Sequence, residues 1–289
     1  MMGNSINYSD FFSNALKKAF KLYKGRFNDC KAEFSEKYVH DIRVSIRRFL
    51  SLNLLLNRLA ESVYSDELVQ LLKKQLKMLN LLRDTQVQII FIRRLIVNHP
   101  ILERFLALLL YNENETVNKM YRKLSELDFE EIEGLAVFYR LDIKNKLTDD
   151  EFIKRTIKET LETYYQNICG LIEQIDRDNP ATIHKLRLAF KKFRYTIEAL
   201  EPIINVTKHD LKVLHAFQTV MGKIQDNCII HRNLSSHIEN QIIIPKVRFS
   251  PVLNEILRQR ELLINSFMNR INIISNFWES KRTDLFKNN

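Results

Sequence analysis

The feature that most restricts the fold is a gapless internal echo. The segment His40-Asp-Ile-Arg43-Val-Ser-Ile-Arg47-Arg48-Phe49 returns as His184-Lys-Leu-Arg187-Leu-Ala-Phe-Lys191-Lys192-Phe193, an offset of 144 residues from His40 to His184. Any fold for this chain must therefore supply the same element twice. At about 100° per residue, positions 40, 43 and 47 share one helical face, as do 184, 187, 191, 194, 195 and 198. Each copy presents a histidine-led basic stripe. Ile42, Ile46 and Phe49, like Leu186, Phe190 and Phe193, fall mainly on another side and predict helices that are half core and half charge.

A Lys/Arg run on a helix is usually a solvated face, and such faces mix signs for pairing at i,i+4. Residues 184 to 194 instead hold Lys185, Arg187, Lys191, Lys192 and Arg194 with no acid among them. The chain of 289 residues, 45% hydrophobic, can bury a sizeable core. Only five glycines and five prolines interrupt it, so turns are few, helices are long and the class is all-α. A formal charge of +10 implies an anionic partner. Cys30, Cys169 and Cys228 form no CxxC or Cys/His cluster, which argues against a disulfide framework, a structural metal or a cofactor site. No run approaches 18 apolar residues, and the first residues lack a basic stretch leading into an apolar one. A cytoplasmic protein with no membrane partner is expected.

Periodicity predicts helices over about 9–27, 36–60, 65–97 and 100–125, then 149–176, 180–203, 207–240 and 249–280. Ser35 and Asn179, the latter followed by Pro180, are the matched caps of the two histidine helices. Each histidine then lies within two turns of a helix N-terminus, where backbone N–H groups favour anions. A second matched pair, Leu79-Asn80-Leu-Leu-Arg83-Asp84 and Met221-Gly222-Lys-Ile-Gln-Asp226, extends the repeat to the third helix of each half. The expected layout is one domain over 1–289, with four-helix halves at 5–127 and 148–285 joined by a connection at 128–147. Residues 126–148 and 240–245 are read as irregular. Asp84 and Asp226 are read as anchors for a basic residue, since one carboxylate per half makes neither a metal site nor an acid/base pair.

These motifs together resemble the CHAD domain, the conserved histidine α-helical domain, over nearly the whole chain. The resemblance implies two pseudo-symmetric four-helix bundles around a central basic channel or groove that binds inorganic polyphosphate, with an association with polyphosphate granules. Carried over by position, it places His40, Arg43, Arg47 and Arg48 of the first copy, and His184, Arg187, Lys191, Lys192, Arg194 and Tyr195 of the second, against the polyanion. Lys73 and His215 take the family's basic position on the third helix, with Lys77 beside it; Arg83, Lys185 and Lys212 are weaker candidates. Asn80 replaces the family's usual glycine in the first half, Gly222 keeps it in the second, and Leu50 and Ser51 stand where the second copy has Arg194 and Tyr195. The two halves should bind unequally.

Polyphosphate carries about one charge per phosphate and no bases, so its binder needs closely spaced cations. Arginine forks grip two oxygens at once and lysines act as adaptable point charges. Three other readings compete. A phosphohydrolase would use the histidines as nucleophile or base, but no HExxH, Walker loop or serine elbow is present. A nucleic-acid-binding protein suits the charge, and non-specific nucleic-acid binding is expected, although aromatics are not interleaved with the basic stripe. A helical adaptor for an acidic protein is the third.

Overall fold

Two 33-residue helices, α3 (Val63–Leu95) and α8 (Lys208–Asn240), set the frame of the computed structural model, which describes residues 6–125, 127 and 129–287. They run the same way. Leu72, Leu79 and Leu82 of one and Leu214, Met221 and Ile224 of the other enter the main core, whereas Ile89, Ile92, Ile230 and Leu234, further along, enter a second, smaller one. The two helices meet where the Asn233 amide donates to Gln88 Oε1 at 2.9 Å.

Around them lie α1 (Tyr8–Ala32), α2 (Glu36–Leu59), α4 (Glu103–Ser125), α5 (Phe129–Lys146), α6 (Asp150–Glu173), α7 (Pro180–Leu200), α9 (Ser250–Met268) and α10 (Ile273–Lys281). Short 3-10 turns at Pro100–Leu102 and Lys246–Phe249 lead into α4 and α9. Among the described residues there is no strand, only one antiparallel bridge between Ile204 and Phe286. The all-α class holds.

The histidine helices start as their caps predict. Ser35 Oγ accepts from the Tyr38 N–H at 3.5 Å, and Asn179 Oδ1 accepts from the Ala181 N–H at 3.2 Å with Pro180 opening the helix. Burial repeats with the sequence: Val39, Ile42, Ile46 and Phe49 are buried, and so are Ile183, Leu186, Phe190 and Phe193 at the same 144-residue offset. Each such side chain contributes roughly 1.5–3 kcal/mol through removal from water. That is what turns the charged stripes toward the remaining side of α2 and α7.

Two expectations need correction. Residues 128–147, read as a connection, contain α5 from 129 to 146, while 126 and 128 fall outside the described residues. Ile132, Ala136, Tyr139 and Ile143 form its buried stripe against α1 and α3, and Phe129 stacks on Tyr23 with ring centroids 5.7 Å apart. The helix expected over 249–280 is two: α9 enters the main core with Ile264 and Phe267, the chain turns at 269–272, and α10 adds Ile274, Phe277 and Trp278 to the same core. Among the described residues each half thus has five α-helices, and the core does not divide between them, because both hydrophobic clusters draw residues from both halves.

Candidate functional site

α2 packs against α7, with α3 on one flank and α8 on the other. Between these four helices opens a cleft of about 400 Å³. α2 supplies His40, Arg43 and Arg47, and α7 supplies His184, Arg187 and Lys191. From α3 come Asn80, Arg83 and Asp84, and from α8 come Gln225 and Asp226. The two sequence stripes therefore face a single space, and Arg83, a weaker candidate by sequence, belongs to it fully. Its guanidinium is also held by the Glu36 carboxylate at the start of α2.

Four arginines and Lys191 share the cleft with two carboxylates. Asp84 and Asp226 do not act as the expected anchors: among the described residues neither forms an ion pair within 4.0 Å. They act through space, Asp84 favouring the charge on Arg43 and Arg47, Asp226 that on Arg187 and Lys191. Burial itself pushes the Asp226 carboxyl above the usual range, against the pull of Arg187.

The cations pay in solvation for this placement. Arg43 is only 7% exposed and Lys191 8%. Burial first, and then repulsion from Arg47, lowers Arg43 to about 9. Burial, followed by Arg47, Arg187 and Arg43, lowers Lys191 to about 6. Arg47 and Arg187 shift the same way for the same leading reason. Both histidines are lowered as well, His40 by burial and then Arg83, His184 by burial and then Arg187 and Lys191, with a hydrogen bond to Gln225 opposing. Near pH 7 the imidazoles and most of the Lys191 population are neutral, while the arginines stay charged.

Hydrogen bonding leaves this cluster incomplete. Arg43 Nη2 donates to Asn80 Oδ1 at 2.9 Å, but Arg43 Nε, Arg187 Nε and His184 Nδ1 are buried without a partner. Gly222 faces Arg187 where Asn80 faces Arg43; a methyl group there would lie 3.7 Å from Arg187 Nε and Nη2. Asn80 thus occupies one guanidinium and Gly222 leaves the other unengaged, a chemical asymmetry between the halves. The arrangement can grip a ligand with several anionic oxygens, supplying them with forked donors and relief of charge repulsion.

The other candidates lie elsewhere. Position 194 is in phase with 187 and 191 but two turns on, where the stripe passes from the cleft into packed structure. There Arg194 is buried, donates from Nε to Gln218 Oε1 at 2.8 Å, pairs with Glu198 and lies 4.5 Å from the Tyr195 ring centre. Arg48 and Lys192, one step round each helix, point away: Arg48 pairs with Glu198 at 3.1 Å, and Lys192 Nζ sits 4.5 Å from the centre of the Tyr164 ring. Arg48 borders a separate apolar cavity beside α1, and so does Tyr195, whose phenol also lies near enough to Arg47 and Arg187 of the central cleft to act on their charges. Lys77 lines another cleft with Lys74 and Lys123, and Lys73, Lys185, Lys212 and His215 are exposed outside the central one. Sequence reasoning did not assign the Asn80 and Gln225 side chains to the site; Asn80 stood out only as a departure from glycine. Among the described residues no group of three or more His, Cys, Asp or Glu is placed to hold a metal ion.

Fold and site define an all-helical protein with a central basic cleft. Its residues 14–235 match the family model of the CHAD domain, and the chain belongs to that family. The CHAD domain from the plant Ricinus communis is similar in structure, with a TM-score of 0.66 at 17% identity, over 96% of this chain and 94% of that one. PptA from Streptomyces chartreusis is likewise similar, with a TM-score of 0.65 at 11% identity, over 94% of this chain and 99% of that one. At such identities the likeness is one of fold. A search of curated proteins finds no match.

Proposed function

We propose that this protein binds inorganic polyphosphate in the cleft between α2, α3, α7 and α8, without catalysing its hydrolysis. The observation that carries the reading is the convergence of Arg43, Arg47, Arg83, Arg187 and Lys191, with His40 and His184, on one space whose charges repel each other and whose buried guanidinium N–H groups lack partners. Membership of the CHAD family agrees with it. A phosphate chain would supply an oxygen for each unpaired donor and a charge for each cation. Counterion release would add to the affinity and make it fall with salt. Granule association is the cellular setting this implies.

Nucleic acid is the second reading, and the cleft disfavours it. Its lining includes no Phe, Tyr or Trp on which a base could stack. Competition decides between them: polyphosphate held by the protein should survive duplex DNA at equal phosphate concentration, and displacement by the DNA would overturn the assignment. Incubation of the pure protein with polyphosphate and Mg²⁺ should release no orthophosphate; steady release would make it a phosphohydrolase.

A further inference from the structure

α3 and α8 run parallel, touch through Gln88 and Asn233, and each continues seven residues further, to Leu95 and Asn240. The turns that follow them therefore share one end of the molecule, where Ile96 and Ile244 pack on the smaller core. Beyond these two anchors the turns expose apolar side chains: Val97 is 78% exposed, Ile242 97%, Ile243 69% and Val247 73%. The longer turn is built rather than loose. Gln241 Oε1 accepts from the N–H groups of Ile243 and Ile244 at 3.1 and 2.9 Å, and its amide donates to the Ile244 carbonyl at 2.7 Å. This one side chain directs Ile244 inward and holds Ile242 and Ile243 outward.

Exposed around the same turns are Arg93, Arg94, Arg104, Lys246 and Arg248, against Glu103 and Glu239. We propose that this apolar, basic-rimmed end docks the protein onto an anionic lipid surface, the isoleucines entering the interfacial layer and the arginines and lysines meeting the headgroups. The charge of the rim favours a lipid surface: exposed isoleucines can sink roughly 5–10 Å into a headgroup layer, and the surrounding arginines and lysines complement anionic lipid. No membrane-crossing helix is required, and among the described residues no helix is long and apolar enough to cross a membrane.

The test is co-sedimentation of the full chain with vesicles of phosphatidylcholine and phosphatidylglycerol, and with vesicles of phosphatidylcholine alone. Wild type should pellet with the anionic vesicles and stay in solution with the neutral ones. Ile242→Asp/Ile243→Asp, changed only at exposed positions and checked by circular dichroism, should lose binding by roughly tenfold or more while keeping its polyphosphate affinity. The proposal is overturned if wild type does not pellet or if the double variant pellets equally. It is also overturned if only Arg43→Ala/Arg187→Ala abolishes pelleting, which would place headgroups in the central cleft. A dimer of wild type that the isoleucine variant dissolves, with no vesicle binding, would make the tip a contact between copies. Polyphosphate binding is read separately, so its failure would leave this outcome legible.

Discussion

Lys191 faces Arg43 and Arg47 from α2 and Arg187 from its own helix, with Asp226 of α8 as the opposing charge. With its folded value lowered to about 6, the ammonium is protonated only below that pH in the ligand-free protein. A bound polyanion favours the proton, so affinity rises as the pH falls from about 9 toward 6; the lowered histidines act in the same direction. Stability of the ligand-free protein runs oppositely. The folded state binds fewer protons than the unfolded chain between pH 6 and the ordinary lysine value of 10.5, so its melting temperature should climb across that window. Calorimetry and thermal melts of Lys191→Arg, which keeps its charge, should show both slopes reduced; unchanged slopes would remove Lys191 as the titrating group. Arg194→Ala should act on stability instead, costing about 3–5 kcal/mol in chemical denaturation because it leaves Glu198 half-buried beside one exposed partner, whereas Arg48→Ala should cost about 1 kcal/mol or less. Neither should change polyphosphate affinity much. His40, Arg43, Arg47, His184, Arg187 and Lys191 were legible because helical phase alone places them. Arg194 misled because phase says nothing of how far along a helix a cleft extends, and Arg48 and Lys192 came from the resemblance rather than from phase.

Among the elements, α2, α3, α7 and α8 could be read from the duplicated motif and their caps, and the resulting ends stand within three residues of the expected ones. α5 could not. Its outer face carries Val137, Phe138 and Leu141, all substantially exposed, so apolar residues surround the helix and blur its inward stripe, while Gly134 interrupts the pattern. The break between α9 and α10 was hidden for the converse reason, since the apolar spacing continues across it without a proline or glycine. Tyr139, with no exposed surface, tests whether α5 is part of the core: Tyr139→Ala should lower stability by about 3 kcal/mol or more in urea denaturation. A loss below about 1 kcal/mol would make α5 a loosely attached cover.

For the whole molecule, the duplicated sequence suggests two units, but the packing joins them. The main core mixes Ile42, Phe49, Leu72 and Leu79 with Leu186, Phe193, Leu214 and Met221, and the smaller core is mixed in the same way. Residues 1–147 and 148–289 expressed apart should each bind hydrophobic dye and unfold without a cooperative transition, and should regain both on mixing; a cooperative melt of either alone would mean independent halves. The site shares this origin, because each half contributes one histidine helix and one flanking helix to a cleft that neither encloses alone. Its electrostatics follow from that closure: basic side chains from α2, α3 and α7 are forced together, which is the repulsion the proposed polyphosphate would relieve. The most direct measurement is calorimetric titration of long-chain polyphosphate into wild type and into Arg43→Ala/Arg187→Ala at two salt concentrations, with folding verified by circular dichroism. Tight binding by wild type that weakens with salt, and loss of most affinity in the folded double variant, is the predicted result. Equal binding by both proteins, or by neither, would show that the cleft is a structural feature and not the polyphosphate site.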